Sequence, residues 1–141
     1  MRNSIIYILF FLLSISALFH SCQNEEGINY KRYYVNGKGI YEKNCQSCHD
    51  ADGKGLGTLY PPLTDSLYLK QNKNKLACII KNGQNDSILI NNIYFDENMP
   101  GNNILADIDI AQVIVYITNS FGNQQGFYSD QQVASDLNNC R

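Results

Sequence analysis

Histidine and methionine are scarce in this chain: its 141 residues contain two of each. His20 sits in an apolar N-terminal stretch and Met1 is the initiator, which leaves His49 and Met99 for everything that follows. That scarcity bears on metals. A structural zinc site takes four protein ligands, generally from two CxxC-like halves. Here there is one half, in "CQSCH" (Cys45 to His49), while Cys78 and Cys140 stand isolated. Zinc is therefore disfavoured. Basic charge is short too, with 11 Lys and Arg against 13 Asp and Glu. That balance offers no basic face large enough to suggest nucleic acid. Nor is there a long apolar run: the one from Ile5 to Phe19 carries two serines and falls short of the ~20 residues of a comfortable transmembrane helix. Nothing repeats internally, and the length allows one domain.

The N-terminal stretch "MRNSIIYILFFLLSISALFHSC" has a charged start at Arg2, an apolar centre, and small and polar residues before Cys22. Those are the three regions of a secretory signal. Its end resembles the lipobox of bacterial lipoproteins, with Ser21 directly before Cys22 and Leu18 four positions ahead of it. The resemblance implies that the Cys22 thiol is acylated and becomes the first residue of the mature chain, anchored to a membrane by its acyl chains, with plain cleavage or an uncleaved anchor as the alternatives. Loss of residues 1–21 removes Arg2 and leaves 10 basic and 13 acidic residues, a net charge near −3. The expected organisation is a signal over 1–21, a tether over 22–35, a folded domain over 36–123 and a tail over 124–141. Gln23 to Tyr34 ("QNEEGINYKRYY") is polar and mixed in charge, and as a tether would reach at most ~40 Å. The tail is polar and expected to be partly ordered at best.

Three longer helical stretches stand out. The first runs from about Asn36 to His49, with Ile40 and Tyr41 as apolar anchors. In the second, Leu76, Ile79 and Ile80 fall at i, i+3 and i+4, and Gly83 is placed as its C-terminal cap. In the third, Ile110, Val113, Ile114, Ile117 and Phe121 follow one face, with Asp107 as N-cap, Asp109 at the positive end and Gly122 closing it. A short helix is expected over Ser66 to Leu69. "DSILINNIYFDENMPGNN" has apolar residues without a sustained helical period, and reads as an ordered loop with room for a short strand.

With zinc set aside, "EKNCQSCHDADGKG" admits a redox dithiol or a haem tether. A thioredoxin-like dithiol needs a strand before the CxxC and a βαβ context. Here the preceding residues read as helix and no alternating strands follow. Haem fits the spacing: Cys45 and Cys48 would each bond one haem vinyl carbon, and His49 would lie under the iron as proximal ligand. The other axial ligand follows by elimination, because Met99 in "ENMPG" is the one methionine left after signal cleavage. Filling a gap in a core is the commoner fate of methionine. Here, though, Pro100 and Gly101 hold the chain in a non-helical turn that can present the sulfur from a loop. A thioether is a soft donor that favours ferrous iron and raises the reduction potential. Two protein ligands leave no open coordination position, which points to electron transfer rather than catalysis.

At this point residues 36–123 resemble a class I mono-haem cytochrome c of the bacterial type. Gly37, Tyr41 and Cys45 match that family's G-x-x-x-[FY]-x-x-x-C on the first helix, and Val113 and Tyr116 match apolar and aromatic positions of the last. "ADGKG" resembles the loop after the haem-binding His, and "YPPL" the P-x-L that follows, at Pro61 and Leu63. "SFGN" resembles a common "WGN" ending, with Phe121 where the family has Trp, a residue this chain lacks altogether. The resemblance implies an all-α cytochrome c fold of three to four helices around one covalent haem c. The N- and C-terminal helices would cross with Gly37 at the contact. It also implies that the Pro61 carbonyl accepts a hydrogen bond from His49 Nδ1–H. Tyr41, Tyr60, Tyr94, Phe95 and Tyr116 are candidates to wall the haem, and Ile90 to Asn92 lies near enough to the Met loop to consider for a propionate.

The expected function is a lipid-anchored, mono-haem electron carrier on the periplasmic face of a bacterial membrane, which docks briefly with redox partner proteins and transforms no small-molecule substrate. Two alternatives share the same local sequence: an electron-input subunit of a periplasmic reductase or oxidase, and a haem sensor in which Met99 leaves the iron. Cys78 and Cys140 form an even pair in an oxidising compartment. They are either a disulfide that pins the tail to the second helix or a buried thiol and a loose one. Lys70, Lys73, Lys75 and Lys81 read as a solvated face, with a partner-docking patch as the minority reading.

Overall fold

Glu25 to Asn44 forms one continuous helix, α1, where the sequence reading placed a tether and then a helix starting near Asn36. The structure, a computed structural model, describes residues 6–7 and 25–140. The rest of the signal segment, and Cys22 with its lipidation, lie outside the described residues. The physical reason for the longer helix is a tyrosine stripe. Tyr30, Tyr33, Tyr34, Gly37 and Tyr41 fall at i, i+3, i+4, i+7 and i+11, one face of a helix, and Tyr33, Gly37 and Tyr41 are buried. Glu25 and Glu26 occupy the first turn and Lys43 the last, each at the end of the helix dipole that favours its charge.

The helix breaks at Cys45, and a short α2 (Gln46–His49) carries the rest of the motif before Asp50, at φ +65°, ends it. The third element, α3 (Ser66–Gln71), is capped by the Asp65 carboxylate, which accepts from Tyr68 N–H at 2.9 Å. A 3₁₀ turn (Lys73–Lys75) leads into α4 (Leu76–Asn82), whose end is set by Gly83 at φ +88°. Among the described residues the chain then departs from an all-helical fold in four short strands: β1 (Gly83–Gln84), β2 (Ile88–Ile90), β3 (Ile93–Phe95) and β4 (Met99–Pro100). Strands β2 and β3 form a hairpin closed by Asn91 and Asn92, both in the left-handed region, as a two-residue primed turn requires. Strand β1 pairs antiparallel with β4, Gly83 opposite Pro100 and Gln84 opposite Met99. The fold is thus mostly helical, with two small ladders on one side.

Helix α5 (Asp107–Ile117) is buried along almost its whole length and packs most extensively against α1. Asp107 is inside this helix rather than its cap; the cap is Ala106, whose N–H donates to the Asp109 carboxylate at 3.1 Å. The helix stops at Ile117, short of Gly122, because Phe121 and Gly122 both take positive φ in the turn beyond. At the α1–α5 crossing a Cβ on Gly37 would lie 1.9 Å from the Gln112 carbonyl oxygen, so the two backbones meet where no side chain fits.

The tail is ordered, contrary to the sequence reading. Helix α6 (Asp130–Leu137) starts with a reciprocal cap: Ser129 Oγ accepts from Gln132 N–H and Gln132 Oε1 accepts from Ser129 N–H. Val133 is fully buried, and Tyr33 Oη donates to Asp130 at 3.1 Å. Cys140 is joined to Cys78 of α4 by a disulfide.

Candidate haem-binding site

The first helix break has a purpose visible in the packing. By ending α1 at Asn44 and restarting at Gln46, the chain turns Cys45, Cys48 and His49 onto one wall of a deep cavity. The cavity encloses about 1030 Å³ not filled by protein atoms, counting its open mouth. Its lining is predominantly apolar, with Leu69, Leu76, Ile80, Ile90, Phe95, Val113 and Ile117 among the deeper residues. Pro61 and Met99 line it as well, so all five cofactor residues expected from the sequence meet at one cavity.

His49 is buried, and its Nδ1 lies 3.0 Å from the Pro61 carbonyl oxygen. A carbonyl only accepts, so Nδ1 carries the ring proton and Nε2 keeps its lone pair, the tautomer a metal ligand needs. Burial pushes the imidazole below its ordinary range, while the bond to Pro61 works the other way. The loop between them is itself tied back: Gly55 N–H donates to the His49 carbonyl at 3.0 Å and Leu63 N–H to the Gly53 carbonyl at 2.7 Å. From the far end of the fold, Asn123 Nδ2 donates to the carbonyls of Leu63 (2.8 Å) and Ile117 (2.9 Å), joining this loop to the end of α5.

Cys45 and Cys48 are both free and half-buried. Burial, reinforced by neighbouring Cys48, pushes the Cys45 thiol up to about 11. A redox dithiol works through a thiolate of lowered pKa, ~3.5–7.5, so this environment is the opposite of what that chemistry selects. Among the described residues no three His, Cys, Asp or Glu side chains gather as a set able to hold a metal ion. Two unpaired thiols beside a neutral histidine, on the wall of an apolar cavity, fit a haem held through its vinyl groups and its iron.

Met99 is held from behind. In the β1–β4 ladder a Cβ on Gly83 would fall 2.5 Å from the Met99 carbonyl oxygen. Asn102 N–H donates to the Ile80 carbonyl at 2.8 Å. Lys81 Nζ donates to the carbonyls of Asn103 (3.1 Å) and Leu105 (2.7 Å). These supports were not read from the sequence, where Gly83 was a helix cap and Lys81 one of a lysine group. Their signal was the pair of small residues, Gly83 and Gly101, on either side of the ladder.

The aromatic assignments need correction. Tyr60 and Phe95 line the cavity. Tyr41 and Tyr116 instead pack with Phe121 in the helix crossing in tilted and edge-to-face contacts, ring centroids 5.3 to 5.7 Å apart. Tyr94 is 66% exposed, because in β3 it alternates with the inward Phe95. Asn91 and Asn92 serve the hairpin turn. The four lysines are spread over three elements: Lys70 is in α3, Lys73 and Lys75 in the 3₁₀ turn and Lys81 in α4. Lys73 Nζ donates to the Gln125 carbonyl at 3.0 Å and stands over the Tyr128 ring, so with Lys81 two of the four are engaged.

No curated protein matches the chain. The family model for cytochrome c matches residues 34–121, more than half of its length. With the cavity, its thiols and its histidine in that segment, the chain belongs to the cytochrome c family as a class I c-type cytochrome, a haem-based electron carrier.

Proposed function

We propose that Cys45 and Cys48 hold a single haem c by thioether bonds, that His49 and Met99 ligate its iron, and that the protein passes single electrons between redox partners while Cys22 anchors it to a membrane. The observation that carries this reading is the convergence of both thiols, the Nδ1-protonated His49 and Met99 on one apolar cavity. The haem supplies one-electron chemistry when bound. The chain's own residues orient and enclose it. Pro61 fixes the His49 ring, the Gly83 contact holds the Met99 segment, and the apolar wall keeps water from the iron. The same support behind Met99 favours a carrier over the sensor alternative, because the ligand segment is tied at Ile80, Lys81 and Gly83.

Membrane anchoring takes a different form from a long leash. With α1 starting at Glu25, residues 22–24 are all that separate a Cys22 lipid from the helix, a reach of at most ~10 Å. An anchored domain would be held close to the bilayer. Two experiments test the proposal. Visible spectra of protein matured with covalent haem should be low-spin in both oxidation states, and Met99→Ala should remove the thioether signature and open the ferrous iron to carbon monoxide. A wild-type protein that binds carbon monoxide rapidly and completely contradicts the ligand set. Cys22→Ser should move the protein from the membrane to the soluble fraction; an unchanged distribution contradicts the anchor.

A further inference from the structure

The cavity has a mouth of distinctive chemistry. Of the residues that line it, Asp86, Glu97, Asn98 and Pro100 are themselves exposed, so they mark its rim. Asp96 is exposed beside them. Between residues 82 and 106 these three carboxylates are the charged groups, and no Lys or Arg occurs. None of the three joins an ion pair among the described residues. The β2–β3 hairpin forms part of the same rim and has two apolar faces. Ile88, Ile90 and Phe95 point into the cavity. Leu89 and Tyr94, directly paired across the ladder, face out at 49% and 66% exposure, and Ile93 is 39% exposed. An antiparallel hairpin of a soluble domain ordinarily turns polar residues outward. This one keeps an apolar pair there, with Asp86, Asp96 and Glu97 just beyond the strand ends at the base of the hairpin.

We propose that the outer face of this hairpin is the docking surface for a redox protein whose own docking face presents lysines and arginines around an apolar centre. The inference rests on the electron-carrier reading and names the partner chemistry that the reading leaves open. Charge complementarity selects the occupant: three unpaired carboxylates at the rim attract a cationic face and repel an anionic one. The Leu89–Tyr94 pair supplies the small apolar contact that a brief encounter needs, and the hairpin's inner face touches the cofactor cavity, so docking there places the partner next to the haem. The lysines from Lys70 to Lys81 are the weaker candidate, since Lys73 and Lys81 are engaged with backbone carbonyls.

The test uses the haem-loaded chain and two probes. Reduction of the ferric protein by hexaammineruthenium(II), a small cation, should slow roughly tenfold or more from low to high salt. Asp86→Asn/Asp96→Asn/Glu97→Gln should lose most of that dependence, and Glu25→Gln/Glu26→Gln/Glu42→Gln, which removes the same charge from α1, should keep it. Amide shifts on titration with a soluble lysine-rich cytochrome c should centre on residues 84–97, and Leu89→Ser/Tyr94→Ser should weaken that binding even at high salt. Equal effects of the two triple variants, or shifts centred on Lys70 to Lys81, would overturn the proposal. A chain that takes up no haem contradicts the electron-carrier reading instead, and does so before either probe is added.

Discussion

Gly83 stands against the main chain of Met99: a Cβ built on it would lie 2.5 Å from the Met99 carbonyl oxygen, at a residue whose φ is +88°. Both facts exclude a side chain, one by space and the other by conformation. Gly83→Ala must therefore push the β1–β4 ladder apart, at a local strain of about 1–3 kcal/mol. The expected result is a protein that keeps its covalent haem but loses the Met99 thioether signature in part or whole, with a lowered reduction potential. An unchanged ferric spectrum and potential would show that the ladder does not hold the ligand.

The two glycines of α1 make a matched pair. Gly37 meets the Gln112 carbonyl at the helix crossing, and nothing lies within 4 Å of a Cβ on Gly39. Gly37→Val should cost at least about 3 kcal/mol of stability by forcing α1 from α5. Gly39→Ala should raise stability by about 0.5–1 kcal/mol through helix propensity alone. Denaturant unfolding of both variants checks this, and similar effects in the two would refute the close crossing.

Much of the site was legible because its chemistry is local. Cys45, Cys48 and His49 are neighbours in the chain, and Met99 follows from the near absence of methionine. Helix α4 and the body of α5 were legible through their apolar period. The parts that were misread depend on contacts made at a distance. The tyrosines of α1 looked like polar tether until α5 and the tail offered them a face to bury against: Tyr33 meets Phe127 at 4.9 Å and Tyr34 meets Tyr116 at 5.2 Å. Their helical spacing was available, and so was the Ser129-x-x-Gln132 cap of the last helix. What no local pattern carries is the pairing of Gly83 with Pro100, or the reach of Lys81 to the carbonyls after the Met loop.

The Cys78–Cys140 disulfide closes a loop of 62 residues and ties α6 to α4, a wall of the cavity. Chain-entropy arguments put its contribution at about 4 kcal/mol. Cys78→Ser/Cys140→Ser should lower the unfolding midpoint accordingly and raise hydrogen exchange in α6 and α4, while the haem spectrum stays low-spin. Stability within about 0.5 kcal/mol of wild type would contradict a structural role for the bond.

Alkaline pH should destabilise the fold through its buried tyrosines. Burial holds the Tyr41 and Tyr128 hydroxyls well above the usual tyrosine range, and Tyr128 is raised further by its hydrogen bond to Asp136. A folded-state pKa above the unfolded one favours the neutral form in the native state. The stability is therefore complete below about pH 10 and falls as pH rises beyond it. Denaturant midpoints measured from neutral to strongly alkaline pH should show that fall, and Tyr128→Phe should flatten it. The same slope in both proteins would mean that Tyr128 does not titrate as described.

The covalent attachment is the centre of the account, and the intact mass of the denatured chain tests it most directly. Protein made with a c-type haem maturation system should carry the mass of one haem after full denaturation. Cys45→Ala and Cys48→Ala should each leave a single thioether, and the double variant should release the haem entirely. A denatured wild-type chain with no added haem mass would contradict the site at its root and return "CQSCH" to metal or dithiol chemistry.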